Sequence, residues 1–313
     1  MDKIAVLIPC YNEEQTIEKV IEETKRYLPE AVIYVYDNNS TDKTASLAKR
    51  AGAILRREPL QGKGNVIRRM FREVDALCYL MVDGDNTYSM EKAPEMVRLV
   101  LEGQVDMVVG DRLSSTYFTE NKRKFHNFGN TLVRGSINCL FRSNIKDVMT
   151  GFRAFSYEFV KTFPVLSRGF EIETEMTIHA VLNHLVVENV VTVYRDREEG
   201  SVSKLNTIPD GVRVLRMIFR MLRNYRPLLF FTIIAAVLTV AAAIFMVPVL
   251  AEYFATGLVL KFPTLIVCGF MVLAAIQSVF TGLLLSVMLS KSQNDFEMRF
   301  LEAYNRKQEK TGR

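Results

Sequence analysis

Two long uncharged stretches constrain the fold of this 313-residue chain more than any other feature of its sequence. No Asp, Glu, Lys or Arg occurs at residues 228–250 or at residues 262–290. Each stretch exceeds the roughly 20 apolar residues that a helix needs to cross the hydrocarbon core of a bilayer. The sequence therefore predicts two transmembrane helices, at about residues 228–250 and 264–290, and argues against a purely soluble protein.

The charges that flank these stretches predict their orientation. Lys204, Arg213, Arg216, Arg220, Arg223 and Arg226 precede the first stretch, and Lys291, Arg299, Arg306, Lys307, Lys310 and Arg313 follow the second. The connector at residues 251–261 holds only Glu252 and Lys261 as charged residues. Because positively charged flanks stay in the cytoplasm, we expect a hairpin with both termini cytoplasmic and a short external turn. The net charge of +5 is too small to suggest a nucleic-acid partner.

Short β-branched runs alternate with amphipathic segments over the residues that precede the apolar stretches. This pattern predicts strands at residues 4–8, 31–36, 53–55, 77–82 and 107–109, and helices at residues 16–27, 43–51 and 65–74. Such alternation is typical of a mostly parallel sheet with helices on both faces. Ligands bind such sheets at the carboxyl ends of the strands, and Asp37, Asp83 and Asp85 follow predicted strands.

The sequence Asp83-Gly84-Asp85 is the sharpest chemical feature of the chain. Two carboxylates that flank one small residue can hold a hard divalent cation beside phosphate oxygens. Surface turns also contain this pattern, so by itself it is weak evidence for a cation-binding site. Asp37 has two interpretations: it accepts hydrogen bonds from a nucleoside, or it belongs to a helix-capping turn, as we expect for Asp42.

Two further segments combine apolar and basic residues in the manner of helices that lie on a membrane surface. They are residues 117–142 and residues 209–225, and the second leads directly into the first predicted span. A solvated surface helix is the alternative for the first segment. The predicted spans favour the membrane surface for both.

These and other short motifs follow one another along the chain: Ile8-Pro9-Cys10-Tyr11-Asn12-Glu13-Glu14, Asp37 with Ser40-Thr41-Asp42, Gly62-Lys63-Gly64, Asp83-Gly84-Asp85, Gly110-Asp111-Arg112, Gly129-Asn130, Asp147 with Thr150-Gly151-Phe152-Arg153-Ala154-Phe155, residues 171–175 and residues 197–205. Their order resembles glycosyltransferase family 2, the inverting nucleotide-sugar enzymes with a GT-A fold. The later motifs and the two spans resemble the polyprenyl-phosphate branch, which includes dolichyl-phosphate mannose synthases and undecaprenyl-phosphate glucosyltransferases.

The resemblance implies a division of the chain into four parts. We expect a cytoplasmic GT-A catalytic domain at residues 1–205, whose Rossmann-like α/β sheet is mostly parallel, and a juxtamembrane amphipathic helix at residues 206–226. Residues 227–290 would hold the two transmembrane helices, and residues 291–313 a cytoplasmic basic tail. The implied location is the inner (plasma) membrane.

The resemblance also implies the binding residues. The nucleotide sugar would contact Pro9, Tyr11, Glu13, Asp37, Lys63, Asp83, Gly84 and Asp85. Asp83 and Asp85 would hold Mg²⁺ or Mn²⁺. Thr87 stands where mannose synthases often carry Gln, so we expect no third protein ligand there. Arg112, Arg197 and Lys204 would bind the acceptor phosphate.

The catalytic residues implied by the resemblance are Asp85, Arg112 and Asp147. Asp147 sits where family members place a proposed base. A phosphate acceptor with a second pKa of about 6 is already largely a dianion at cytoplasmic pH, so it needs little proton abstraction. Asp147 therefore has two alternatives: to orient Arg112 or the acceptor, or to pair with Lys146 or Arg153.

The reaction implied is a single inverting displacement. A polyprenyl phosphate, with undecaprenyl phosphate expected, would attack the sugar of a nucleotide sugar, with a UDP-sugar favoured, to give a lipid-linked sugar for cell-envelope glycans. The partners would be these two substrates and the membrane, with a homo-oligomer as an open alternative. A processive polysaccharide synthase is disfavoured because the chain has no Trp for a Q-x-x-R-W motif and only two predicted spans. An inactive membrane-anchored scaffold is disfavoured by the intact Asp83 and Asp85.

Overall fold

The computed structural model of the protein describes residues 1–103, 105–114, 135, 138, 145–169, 171–195, 219 and 221–312. The chain divides into two compact units. The sheet unit comprises Met1–Asp210 and Phe296–Arg313, and the hairpin unit comprises Gly211–Asp295. Arg197, Lys204 and nearly all of the two predicted membrane-surface helices lie outside the described residues. The four-part division of the chain stays a prediction.

Seven strands form one sheet in the described part of the sheet unit. They are β1 (Asp2–Cys10), β2 (Val32–Asp37), β3 (Ile54–Arg57), β4 (Ala76–Met81), β5 (Met107–Asp111), β6 (Arg153–Ser156) and β7 (Val187–Val191), in the order β3-β2-β1-β4-β6-β5-β7. Strand β6 runs antiparallel to β4 and β5, while the other neighbours are parallel. The predicted mostly parallel sheet is confirmed.

Helices cover both faces of this sheet. The described helices are α1 (Ile17–Tyr27), α2 (Thr44–Arg50), α3 (Lys63–Glu73), α4 (Ala93–Leu101), α5 (Tyr157–Thr162), α6 (Ile172–Leu182), α7 (Pro227–Thr256) and α8 (Phe262–Thr311). Side chains of β1 alternate between two buried clusters, as the two-residue period of a strand requires. Val6 packs with α1, α2 and α4, while Leu7 packs with α3, α5 and α6. The predicted helices on both faces are therefore confirmed.

The hairpin unit contains α7 and the part of α8 that ends at Asp295. Both helices are long and apolar enough to cross a membrane, yet only 17% and 11% of their most apolar windows are buried. A core helix of a soluble protein would be mostly buried, so this exposure favours lipid as the surroundings. Gly257 adopts φ 72° and ends α7, which makes the connector shorter than the sequence predicts.

The end of α8 belongs to the sheet unit. Ala303 is 5% exposed and joins the buried cluster of α3, α5 and α6. Lys307 Nζ lies 3.0 Å from Glu158 Oε1, and Phe296 contacts the ring of His179 edge-on. The segment predicted as a basic tail is thus helical through Thr311 and packs on the sheet unit.

Candidate active site

Three asparagines turn the chain at the carboxyl ends of strands. Asn12, Asn39 and Asn86 follow β1, β2 and β4, and their φ angles are 54°, 64° and 58°. Asn tolerates this left-handed conformation better than most residues because its short side chain can form local hydrogen bonds. These turns place polar residues at one edge of the sheet.

The four predicted donor-binding carboxylates come together at this edge. Burial first, and then the negative charges of Glu13, Asp37, Asp83 and Asp85, raise the pKa of the Cys10 thiol well above its ordinary value. Asp37 and Asp85 are only 6% and 7% exposed. A Cβ added at Gly84 would lie 2.8 Å from Cys10 Sγ, so any larger residue between the two aspartates would have to displace the Cys10 side chain. The sheet edge therefore concentrates negative charge.

Pro9, Tyr11 and Glu13 border Asp37 because the loops after β1 and β2 are tied together. Pro9 pairs with Tyr36 in the sheet register, one residue before Asp37. The Glu13 amide donates to Thr44 Oγ1 at 2.8 Å, and other hydrogen bonds join Asn12 to Ser40 and Thr41. The structure thus brings the predicted nucleoside-binding residues to one place.

The oxygens of Asp83 and Asp85 fit a hard divalent cation. The Thr87 hydroxyl donates to Asp85 Oδ1 at 2.7 Å and orients that carboxylate. The described residues include no group of three or more His, Cys, Asp and Glu side chains arranged around a metal position. Phosphate oxygens and water would have to complete the coordination, as is usual for Mg²⁺.

Lys63 contacts the first of these aspartates. Its Nζ lies 2.6 Å from Asp83 Oδ1 and 2.6 Å from Glu173 Oε1. Burial alone would lower the pKa of Lys63, but the two carboxylates outweigh it and raise that pKa above its ordinary value. Gly62 and Gly64 permit this position because a Cβ at either would lie 2.2 Å or less from a backbone oxygen of Arg168 or Ser167.

Arg112 leaves the end of β5 and is held on two sides. Its Nε donates to Asp147 Oδ2 at 2.7 Å, and its Nη2 donates to Oδ1 at 3.2 Å. The guanidinium lies 5.9 Å from the ring centroid of Tyr88 and 5.5 Å from that of Tyr194. This bidentate pairing and aromatic contact fix the plane of the guanidinium.

Asp147 is fully buried beneath Arg112. Burial would raise the pKa of Asp147, but the charge and hydrogen bonds of Arg112 outweigh it and lower that pKa below its ordinary value. Its Oδ1 also accepts a hydrogen bond from the Met149 amide. Among the alternatives left by the sequence, this geometry favours the orientation of Arg112.

One loop joins the acidic and basic halves of the site. Arg153, which is fully buried, donates to the carbonyls of Val148 and Thr150, and the Gly151 amide donates to Tyr88 Oη at 2.9 Å. A Cβ at Gly151 would lie 2.2 Å from Asp83 Oδ2. The loop that carries Asp147 therefore packs directly against the predicted metal ligand.

Sequence reasoning missed Glu173, Tyr88 and Tyr194 as members of this site. Glu173 had a signal, because it lies in the quoted motif at residues 171–175. The two tyrosines had none, since they meet through an isolated β-bridge between distant segments. Arg197 and Lys204, predicted to bind the acceptor phosphate, lie outside the described residues.

Comparison with known proteins identifies the family. The profile of Glycosyl transferase family 2 matches residues 5–163. The chain belongs to this family. Glycosyltransferase AglJ of Haloferax volcanii is 33% identical over 233 residues, which are 74% of this chain and 75% of the relative. The family and enzyme class predicted from the sequence are confirmed: the protein is a glycosyltransferase.

Other similar proteins agree with this assignment. Protein RfbJ of Shigella flexneri is 60% identical over 109 residues, which cover 35% of this chain and 84% of RfbJ. A dolichyl-phosphate hexose transferase of Haloferax volcanii is 27% identical over 220 residues, covering 70% of this chain and 93% of that protein. The crystal structure of glucosyl-3-phosphoglycerate synthase from Mycobacterium tuberculosis with Mn²⁺, UDP and phosphoglyceric acid has a TM-score of 0.55 and 22% identity, and it covers 71% of this chain and 78% of that one. This likeness confirms the GT-A-like fold.

Proposed function

We propose that this glycosyltransferase moves a sugar from a nucleotide sugar, preferably a UDP-sugar, to undecaprenyl phosphate or a similar polyprenyl phosphate. The observation that carries the proposal is the contact at Gly151, where the carboxylate cluster meets the loop that anchors Arg112. A donor site and an anion-binding arginine are thereby adjacent in a chain with two candidate membrane spans. Relatives named for dolichyl-phosphate transfer support a lipid-phosphate acceptor.

On the donor side, Pro9, Tyr11, Glu13 and Asp37 would contact the nucleoside. Asp83 and Asp85 would hold Mg²⁺ or Mn²⁺, which when bound would stabilise the negative charge of the departing nucleoside diphosphate. A related solved fold with Mn²⁺ and UDP-glucose supports this cation and a UDP-sugar. Lys63 lies beside Asp83, within the same donor site.

On the acceptor side, Arg112 would bind the lipid phosphate, with Arg197 and Lys204 as further predicted cations. A phosphate oxygen would attack the anomeric carbon as the bond from that carbon to the nucleoside diphosphate breaks, which inverts the configuration. Asp147 would keep Arg112 in position for this anion. Because the acceptor is already a dianion, no base is required for the attack.

The donor is cytoplasmic in this proposal, so the sheet unit and both termini would face the cytoplasm. The hairpin would anchor the enzyme in the inner membrane. The product would be a polyprenyl-phosphate sugar, a substrate for cell-envelope glycan assembly or modification.

The test is incubation of the purified protein with a panel of UDP- and GDP-sugars, undecaprenyl phosphate and Mg²⁺ or Mn²⁺, with lipid products read by mass. We expect one sugar to appear on the lipid and an Asp85→Asn variant to lose turnover by about a hundredfold or more, as expected when a group that stabilises transition-state charge is removed. Thermal unfolding of the variant should match the wild type. Transfer to water or to a free sugar, with no lipid product, would contradict the acceptor.

A further inference from the structure

The ion pair between Lys63 and Asp83 involves a carboxylate that is also proposed to bind the divalent cation. The side chains of Lys63 and Glu173 are 9% and 6% exposed, whereas that of Asp83 is 26% exposed. Of these three ion-paired side chains, Asp83 is therefore the one that solvent and an incoming cation can reach. Its Oδ2 packs against Gly151, which leaves the carboxylate little freedom to turn away from Lys63.

An ammonium and a divalent cation on the same carboxylate repel each other. The repulsion is proportional to the product of the two charges, so a divalent cation is repelled twice as strongly as a monovalent one at the same separation, and the surrounding dielectric only partly screens it. Lys63 therefore weakens the binding of a cation to Asp83 for as long as it stays there. A diphosphate that arrives with the cation offers Lys63 a new anionic partner.

Glu173 is the second carboxylate partner of Lys63. It lies in the first turn of α6, and its Oε1 is 2.6 Å from Lys63 Nζ. Thr177, one turn later on the same helix, accepts a hydrogen bond from the buried Arg153. Helix α6 thus contacts both Lys63 and Arg153, and Glu173 remains a partner for Lys63 if its contact with Asp83 is lost.

We propose that Lys63 is an internal counter-ion of the metal site, which neutralises Asp83 before the donor binds and transfers to the donor diphosphate when the cation takes its place. Glu173 is the positioning residue that retains Lys63 through this exchange. This role rests on the proposed donor and metal sites. It makes the cation and the nucleotide bind cooperatively. The diphosphate draws Lys63 away from Asp83, which favours the cation, and the cation displaces Lys63 toward the diphosphate, which favours the nucleotide.

The test measures Mn²⁺ affinity without nucleotide, by electron paramagnetic resonance of the free ion, and UDP affinity at saturating Mn²⁺, by calorimetry, on the full chain in detergent. The double variant Lys63→Met/Glu173→Gln removes the ammonium without leaving Glu173 charged and unpaired. We expect it to bind Mn²⁺ about tenfold tighter and UDP about tenfold weaker, each about 1.4 kcal/mol. Glu173→Gln alone, which leaves Lys63 to Asp83, should bind Mn²⁺ more weakly than the wild type.

The matched control is Lys161→Met, which removes a lysine paired with Asp75 at the opposite edge of the sheet and should change neither affinity. A merely structural Lys63 would weaken both ligands in the double variant, and that result overturns the exchange. If the double variant fails to fold, unchanged or tighter Mn²⁺ binding by Glu173→Gln overturns it instead. Retention of Mn²⁺ by Asp85→Asn would contradict the proposed metal site itself, so the two failures are distinguishable.

Discussion

Asp147 accepts two hydrogen bonds from Arg112 and one from the Met149 amide while lying fully buried. At the scale of single residues, the loss of this pair should therefore be visible in the stability of the protein. Removing one partner of a buried ion pair leaves the other charge uncompensated, which typically costs about 3–5 kcal/mol.

The lowered pKa of Asp147 sets the pH range of this stabilisation. Because the pKa is lower in the folded chain than in the unfolded chain, the contribution is complete above about pH 4 and is lost as the pH falls through the folded value. We expect Asp147→Asn to lower the unfolding temperature at neutral pH. The difference in unfolding temperature between the variant and the wild type should narrow below about pH 4. Thermal unfolding of both proteins between about pH 8 and about pH 3 checks this.

Asp106 is a suitable control because its pKa is shifted in the opposite direction to that of Asp147. Burial raises the pKa of Asp106, so its charged form opposes folding as the pH rises. The stability of the wild type relative to Asp106→Asn should therefore decline on going from acidic to neutral pH. If the stability of the wild type relative to Asp147→Asn also declined toward neutral pH, the assigned pairing of Asp147 with Arg112 would be contradicted.

The acidic half of the site could be predicted from the sequence, whereas the surroundings of Arg112 could not. Asp37, Asp83 and Asp85 follow strands, and the carboxyl ends of parallel strands lie at the same edge of the sheet. Tyr88 and Tyr194 meet only after β7 is placed beside β5, which local sequence does not encode.

At the scale of secondary-structure elements, the two hairpin helices pack on a seven-residue repeat. The buried residues of this repeat are Ala235, Ala242 and Val249 on α7 and Cys268 and Ala275 on α8. Gly282, the next position on α8, meets Leu228, which lies seven residues before Ala235. Small residues at such a seam let two apolar helices approach closely, and the seven-residue period favours a left-handed crossing.

A substitution at Gly282 should test this seam. An added Cβ would lie 3.0 Å from the Cβ of Phe231 and 3.2 Å from the Cα of Leu228, so Gly282→Leu forces the helices apart and should destabilise the hairpin by about 1–3 kcal/mol. At Gly269, on the same helix, an added Cβ would meet no described atom within 4 Å. Thermal unfolding in detergent should show a loss for Gly282→Leu and little change for Gly269→Leu. Equal effects would contradict the seam.

The eight elements predicted before residue 112 all occur, with ends within two residues of the prediction. The apolar pattern of most of them is clear because they bury one face, as α1 does, or both faces, as β1 does. Strand β6 was not predicted, because it begins with the charged Arg153. The burial of Arg153 depends on hydrogen bonds to the carbonyls of Val148 and Thr150, which only the folded loop supplies.

At the scale of the whole molecule, α8 contributes residues to both units, and its C-terminal end completes the sheet unit. Lys307 pairs with Glu158, whose side chain is 6% exposed. We expect Lys307→Met to destabilise the sheet unit by about 1.5–3 kcal/mol, the range for a hydrogen bond to a charged group. Arg306→Met is the matched control, since Arg306 and its partner Glu302 are 68% and 64% exposed and such surface pairs contribute about 0–1 kcal/mol.

Urea unfolding followed by tyrosine fluorescence measures both variants. Equal stability of the two variants would mean that the pair of Lys307 and Glu158 contributes no more than an exposed surface pair. The sequence could not distinguish an exposed basic side chain from one that pairs with a buried carboxylate, because the lysines and arginines of this segment occur in the same pattern in either case.

The proposed use of a cytoplasmic donor depends on the orientation of the hairpin in the membrane. Basic residues on both outer flanks predict that residue 311 lies inside and residue 256 outside. Thr256 and Thr311 are exposed, whereas the described native cysteines Cys10, Cys78 and Cys268 are buried.

We therefore expect a membrane-impermeant thiol reagent to label Thr256→Cys in intact cells and to label Thr311→Cys only after the cells are opened. The unsubstituted chain, treated in parallel, gives the background from the native cysteines, including Cys139, which lies outside the described residues. The reverse labelling pattern would put the sheet unit on the side without nucleotide sugars, and the proposed reaction would then lack its donor. Labelling of both positions in intact cells would mean that the two helices do not form a membrane-spanning hairpin.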